Sequence, residues 1–119
     1  NHLNKAISVD ASLAGINHSI SYQGFQSPGC VVDTSSEFIQ LLSSTHEAAL
    51  GRPTQLFASA ATTDVRTFEL YGHIPATCYG PEALNIHGID ESVSIKSTVD
   101  VSRVICHFIT QWCGIEKDR

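Results

Sequence analysis

TTDVRTFELYGHIPATCYGPEALNIHGIDES, residues 62–92, is the stretch whose reading decides the fold. It opens on a Thr-Thr-Asp-x-Arg turn and runs into a short helical pattern carrying Val65 and Phe68 that closes at Gly72. Residues 74–79, apolar almost throughout, then read as a buried strand ending at Tyr79-Gly80-Pro81. A polar loop follows, His87-Gly88-Ile89-Asp90-Glu91. A helix feeding a strand, with a polar loop leaving the strand's carboxyl end, is the arrangement that places ligand sites in open α/β sheets.

Working outward, residues 54–60 (TQLFASA) form a second short apolar run bounded by turn residues, which predicts another buried strand. Two such strands joined by a short helix imply a right-handed βαβ unit with parallel strands. Thr62, Thr63 and Asp64 supply cap-forming side chains for the helix between them. Upstream, Thr34 and Glu37 have capping-box spacing for a helix that carries Phe38, Leu41, Leu42, Thr45 and Ala49 and stops at Gly51 and Pro53. His46-Glu47 within it lacks the second histidine of a zinc-binding helix, since Leu50 stands there, and reads as a solvated face. Downstream, Ser97 and Asp100 form a cap signature. Val101, Val104, Ile105, Phe108, Ile109 and Trp112 then trace an amphipathic helix to Cys113, whose stripe is core. Residues 15–23 alternate apolar and polar side chains, the period of a half-exposed strand, and Ser27-Pro28-Gly29 ends it. Residues 1–14 show no persistent period, and the charged end at 116–119 reads as loose.

Composition limits the function classes. The chain has 119 residues, 42% hydrophobic and 16% charged, which is ordinary for a folded protein. Seven basic against twelve acidic residues give −5, and no basic patch stands out, so nucleic acid and anionic membranes are not expected partners. No apolar run approaches the roughly 18 residues that a membrane span needs. Cys30, Cys78, Cys106 and Cys113 show no Cys-x-x-Cys pairing. Cys106 and Cys113 lie about 10.5 Å apart along one helix, beyond disulfide reach. Buried reduced thiols in a cytoplasmic protein are therefore expected. The chain begins at Asn1 and contains no methionine, which is expected of a piece of something longer.

Thr63-Asp64-Val65-Arg66, Tyr79-Gly80-Pro81, His87-Gly88-Ile89-Asp90-Glu91 and the ending Phe108–Gly114 together resemble the co-catalytic zinc peptidase and deacylase family. That family includes acetylornithine deacetylase, succinyl-diaminopimelate desuccinylase and aminoacylase. The resemblance implies an α/β fold, the C-terminal part of a zinc-peptidase-like catalytic domain with parallel strands flanked by helices. Residues 1–28 would be the end of an inserted satellite domain, and residues 29–119 the C-terminal half of the catalytic domain. Trp112-Cys113-Gly114 and the Thr63-Asp64-x-Arg66 form lean towards the acetylornithine-deacetylase branch. Ser59-Ala60-Ala61 stands where some members carry Gly-Gly.

The resemblance implies two zinc ions in the complete enzyme, with cobalt or manganese as alternatives, and makes His87 one metal ligand. Asp90 or Glu91 would orient its ring. Thr62, Asp64, Arg66 and Gly80 would bind substrate, Arg66 gripping a carboxylate bidentately. An exposed arginine paired with Glu69 or Asp64 is the structural alternative. The other ligands and the general base have no counterpart in the chain and would come from a missing N-terminal segment of the same protein. The expected activity is hydrolysis of N-acyl amino acids or small peptides by that longer protein, with the isolated chain inactive. A homodimer would form through the satellite domain. The rival reading is a non-catalytic α/β interaction module.

Overall fold

The computed structural model describes residues 2–116. The expectations placed on Asn1 and on residues 117–119 lie outside the described residues. Two helices carry the packing: α2, Glu37–Leu50, and α4, Ile95–Trp112. An earlier helix, α1 (His2–Val9), and a 3₁₀ turn (Ala11–Leu13) occupy the N-terminal stretch that had no legible period. Asp10 stops α1 and caps the 3₁₀ turn, its carboxylate accepting from the Ser12 N–H. A short helix, α3 (Val65–Thr67), widens into a π-turn over Phe68–Gly72.

The ends of α2 and α4 show how each was specified. The Thr34–Glu37 capping box does not form. Asp33 instead accepts from the N–H and hydroxyl of Ser35, and Ser36 takes the N-cap position without a side-chain bond. The Asp33 side chain closes a local turn on Ser35 in place of the box. Gly51 ends α2 as expected: it adopts φ 70°, and its N–H reaches the Glu47 carbonyl at 2.8 Å. In α4 the cap lies three residues before the expected one. Ser94 accepts from the Ser97 N–H at 3.2 Å, and Ser97 is buried inside the first turn.

The core is where these two helices meet. Leu42 and Phe108 are buried, Val104 is fully so, and half-buried Phe38, Leu41, Ala49, Leu50 and Tyr79 pack around them. Phe38 meets Phe108 and Trp112 edge-to-face at 5.1 and 5.3 Å, geometries in which a ring edge faces a π-cloud. Thr45, also buried, accepts from Gln111 Nε2 at 3.3 Å. The α4 stripe is core at Val104 and Phe108, while Ile109 and Trp112 stay exposed.

The sheet differs from expectation. Residues 54–60 and 74–79 form no ladder, and neither does 15–23. Among the described residues the only sheet is the antiparallel pair β1 (Ala83–Leu84) and β2 (Ser92–Val93), two residues each. Parallel strands need a partner strand for the ladder and cover on both faces. The described helices give these runs neither, and Leu56, Phe57 and Ile74 remain exposed. The four cysteines are unpaired, as expected, but only Cys30 is half-buried; Cys78, Cys106 and Cys113 are exposed. Among the described residues, no helix is long and apolar enough to cross a membrane.

Candidate functional site

The loop between β1 and β2 is built from turns that ordinary residues resist. Asn85, His87 and Asp90 all have positive φ, at 53°, 63° and 59°. Asn and Asp tolerate this left-handed region because their short side chains bond locally; histidine is rarer there. The Gly88 N–H closes the turn on the Asn85 carbonyl at 2.6 Å. A Cβ on Gly88 would stand 3.0 Å from that same oxygen, so the turn calls for a bare backbone there. Backbone strain of this kind persists where surrounding structure holds it, and it gathers at functional loops.

His87 sits exposed on this turn. No hydrogen bond occupies either ring nitrogen among the described residues. Asp90 and Glu91, also exposed, do not bond His87, so the expected orienting carboxylate is not in place. His87 thus has the free nitrogens a metal ligand requires. Among the described residues, however, no group of three or more His, Cys, Asp or Glu side chains is placed to hold a metal ion. The described residues therefore do not complete a zinc site, which normally takes three protein ligands and a water.

The second expected constellation, the 62–66 turn, is ordered differently from either alternative. Arg66 pairs with neither Glu69 nor Asp64. Its Nη1 donates to the Thr63 carbonyl, and its guanidinium lies 5.2 Å from the Phe25 ring centroid, a cation–π contact. Asp64 holds the N-cap position of α3 through its backbone, its carbonyl accepting from the Thr67 N–H at 2.8 Å, without a side-chain cap bond. Glu69 instead accepts from the Ala76 N–H at 2.8 Å, tying the helix to the run that follows. Thr62 and Asp64 are exposed, and Arg66 is half-buried. No hydrogen bond or ion pair joins this turn to the His87 loop among the described residues.

Gly80 stands in the open, with no atom within 4 Å of where a Cβ would lie. The residues around it are held firmly. The Glu82 N–H donates to Ser97 Oγ at 2.9 Å, and the Glu82 carbonyl accepts from the Ser94 N–H at 2.9 Å. Both bonds fasten the segment to the start of α4. At the other end the Tyr79 hydroxyl lies 2.7 Å from His46 Nδ1 on α2. Sequence reasoning missed this contact, having placed His46 on a solvated face. Helical spacing puts His46 beside Leu42 and Leu50, four residues either way, and that signal was available. A groove of about 820 Å³ runs along this region, with Leu42, Leu56 and Phe57 among its apolar lining and Arg52 and Asp100 among its polar lining. Burial pushes the Tyr79 phenol above its ordinary value; nearby Arg52 opposes this and Asp100 adds to it. Asp100 is itself held below the ordinary aspartate value, first by the 2.6 Å bond from Lys96 Nζ.

Two curated proteins resemble the chain. It is 30% identical over 93 residues, 77% of its length, to N-formyl-4-amino-5-aminomethyl-2-methylpyrimidine deformylase of Bacillus subtilis. It is 29% identical over 91 residues, 76% of its length, to the protein of the same name from Halalkalibacterium halodurans. The match takes in 22% and 21% of those proteins, so the chain spans about a fifth of the length of the curated relatives it matches. No family model matches the chain. These relatives correct the expectation drawn from the motifs: the named kinship is with deformylases, not with zinc peptidases or acetylornithine deacetylase. Both relatives are, by name, enzymes that remove an acyl group from an amide nitrogen. The motifs had captured that coarser chemistry and misassigned the branch.

Proposed function

We propose that this chain is part of an amidohydrolase that removes a formyl group from an N-formyl aminomethyl-pyrimidine or a close analogue. The observation that carries the reading is the similarity to two deformylases across three quarters of the chain. In such a reaction the oxygen of water adds to the formyl carbon and the C–N bond breaks. Formate leaves, and the amine takes up a proton. A formyl group is the smallest acyl group, so specificity must rest on the amine side of the substrate. The open backbone at Gly80 and the 62–66 turn, with Thr62, Asp64 and Arg66, are proposed to meet that side. Arg66 already serves Thr63 and Phe25. Its proposed role is therefore to fix the turn, with its remaining N–H groups facing ligand.

His87 is proposed as one ligand of a metal, zinc by the chemistry of its imidazole, in a site completed by residues beyond this chain. The strained turn and free ring nitrogens support that role. The parallel pairing of residues 54–60 and 74–79 and the boundary near residue 28 belong to the same proposal, with the missing strands supplied by the longer protein.

The test is formate release by the longest form that the gene encodes, offered the formylated pyrimidine and, separately, N-acetylornithine. Release from the first and not the second is the expected result. Hydrolysis of neither would favour a non-catalytic module. In the active protein, His87→Ala should lower bound metal and turnover together. Unchanged metal content with full turnover would remove His87 from the site.

A further inference from the structure

The contact between His46 and Tyr79 spans 33 residues and joins α2 to the segment that the proposed site uses. Its rings stand 5.8 Å apart and nearly perpendicular, at 88°, and both residues are half-buried. The Tyr79 hydroxyl lies 2.7 Å from His46 Nδ1, close enough to donate to it. A neutral imidazole protonated at Nε2 leaves Nδ1 an acceptor for the Tyr79 hydroxyl, and the opposite tautomer fits the same 2.7 Å, so the proton's position belongs to the inference that follows. Three residues on, Glu82 is pinned to Ser94 and Ser97 through both its backbone groups. Arg52, just past the end of α2, lies 3.6 Å from the Glu82 carboxylate, an exposed pair that adds little by itself. The segment from Tyr79 to Glu82 is thus clamped at both ends, and Gly80 between the clamps faces open space.

We infer that His46 is a positioning residue: by accepting the Tyr79 hydroxyl proton at Nδ1 it fixes the 79–82 segment on α2 and so presents the Gly80 backbone to substrate. The presentation to substrate rests on the deformylase reading; the clamp does not. Nothing in the contact involves the reacting atoms, so its effect should appear as misplacement of a bound substrate.

The experiment uses the longest form of the protein and three substitutions. His46→Phe keeps a ring against Tyr79 but removes the acceptor, Tyr79→Phe removes the donor, and His46→Gln restores an amide oxygen that can accept. Each phenylalanine variant should lower kcat/KM for formate release by roughly 10- to 100-fold, the scale of a misplaced substrate. The double variant should fall no further than either single, because both remove the same bond. His46→Gln should recover most of the loss. Nitrogen NMR of the histidines should show His46 protonated at Nε2 alone, with a shift that moves in Tyr79→Phe. Additive losses, wild-type behaviour in His46→Phe, or no recovery in a folded His46→Gln would overturn the inference. If wild-type protein releases no formate, the deformylase reading falls, and the NMR decides the clamp alone. A proton on Nδ1 would then overturn it, and a free Nδ1 responding to Tyr79→Phe would uphold it.

Discussion

Asn85, His87 and Asp90 hold left-handed backbone within six residues, each a conformation that costs a typical L-residue about 1–2 kcal/mol. Asn and Asp at 85 and 90 soften that cost. A loop selected for stability alone would place glycine at such positions, and here the one glycine has an ordinary φ and is needed for space. Two substitutions should therefore act in opposite directions. Asp90→Gly should stabilise the protein by about 0.5–1 kcal/mol, because it relieves φ 59° without losing a bond. Gly88→Ala should destabilise by about 1 kcal/mol or more, because its Cβ would press on the Asn85 carbonyl. Urea melts of the two variants check the signs, and a destabilised Asp90→Gly would mean that the turn is held by the aspartate itself. The need for Gly88 was legible in the sequence. The left-handed backbone at His87 and Asp90 was not, because spacing does not report the sign of φ.

At the scale of elements, the two packed helices α2 and α4 were legible, α1 was not, and the expected strands form no ladder. A helix closes its own hydrogen bonds, so the pattern of Leu42, Thr45 and Ala49, or of Val104 and Phe108, suffices to announce α2 and α4. An apolar run such as 54–60 becomes a strand only when a neighbour supplies the ladder, and no local signal says whether one is present. His46 failed for a related reason: its partner lies 33 residues away, on the 74–79 run rather than on its own helix. The α2–α4 contact allows a quantitative check. Leu42 lies at the centre of a small core, so Leu42→Ala should cost about 2–4 kcal/mol. Gly51→Ala leaves the packing alone, since no atom lies within 4 Å of the new Cβ, and strains only the φ 70° cap; about 1 kcal/mol is expected. Thermal denaturation should rank the two in that order. Equal effects would mean that the helix pair is held by its caps rather than by its core.

The whole molecule carries far more surface than its mass requires. A compact protein of 12.9 kDa exposes about 6,300 Å², whereas this chain exposes 9911 Å². Its radius of gyration is 21.1 Å, against about 13–14 Å for a compact domain of this length. Phe57 is 84% exposed, Ile89 90% and Val31 95%, and four hydrophobic residues alone are buried among those described. Hydrophobic burial is the main term opposing chain entropy, and a core this small leaves Leu56, Phe57 and Ile74 of the two apolar runs uncovered. Two observations point the same way: the apolar runs lack neighbours, and among the described residues no three or more His, Cys, Asp or Glu side chains gather where a metal ion could sit. Purified alone, the 119-residue chain should bind a hydrophobic dye strongly, melt without a sharp transition and release no formate when zinc or cobalt is added. Supplying the remaining four fifths of a deformylase-length protein, covalently or as a separate segment, should sharpen the melt, suppress dye binding and bring activity together. Robust turnover by the chain alone, with its mass confirmed, would place a complete active site within these residues and overturn the division of labour proposed for His87.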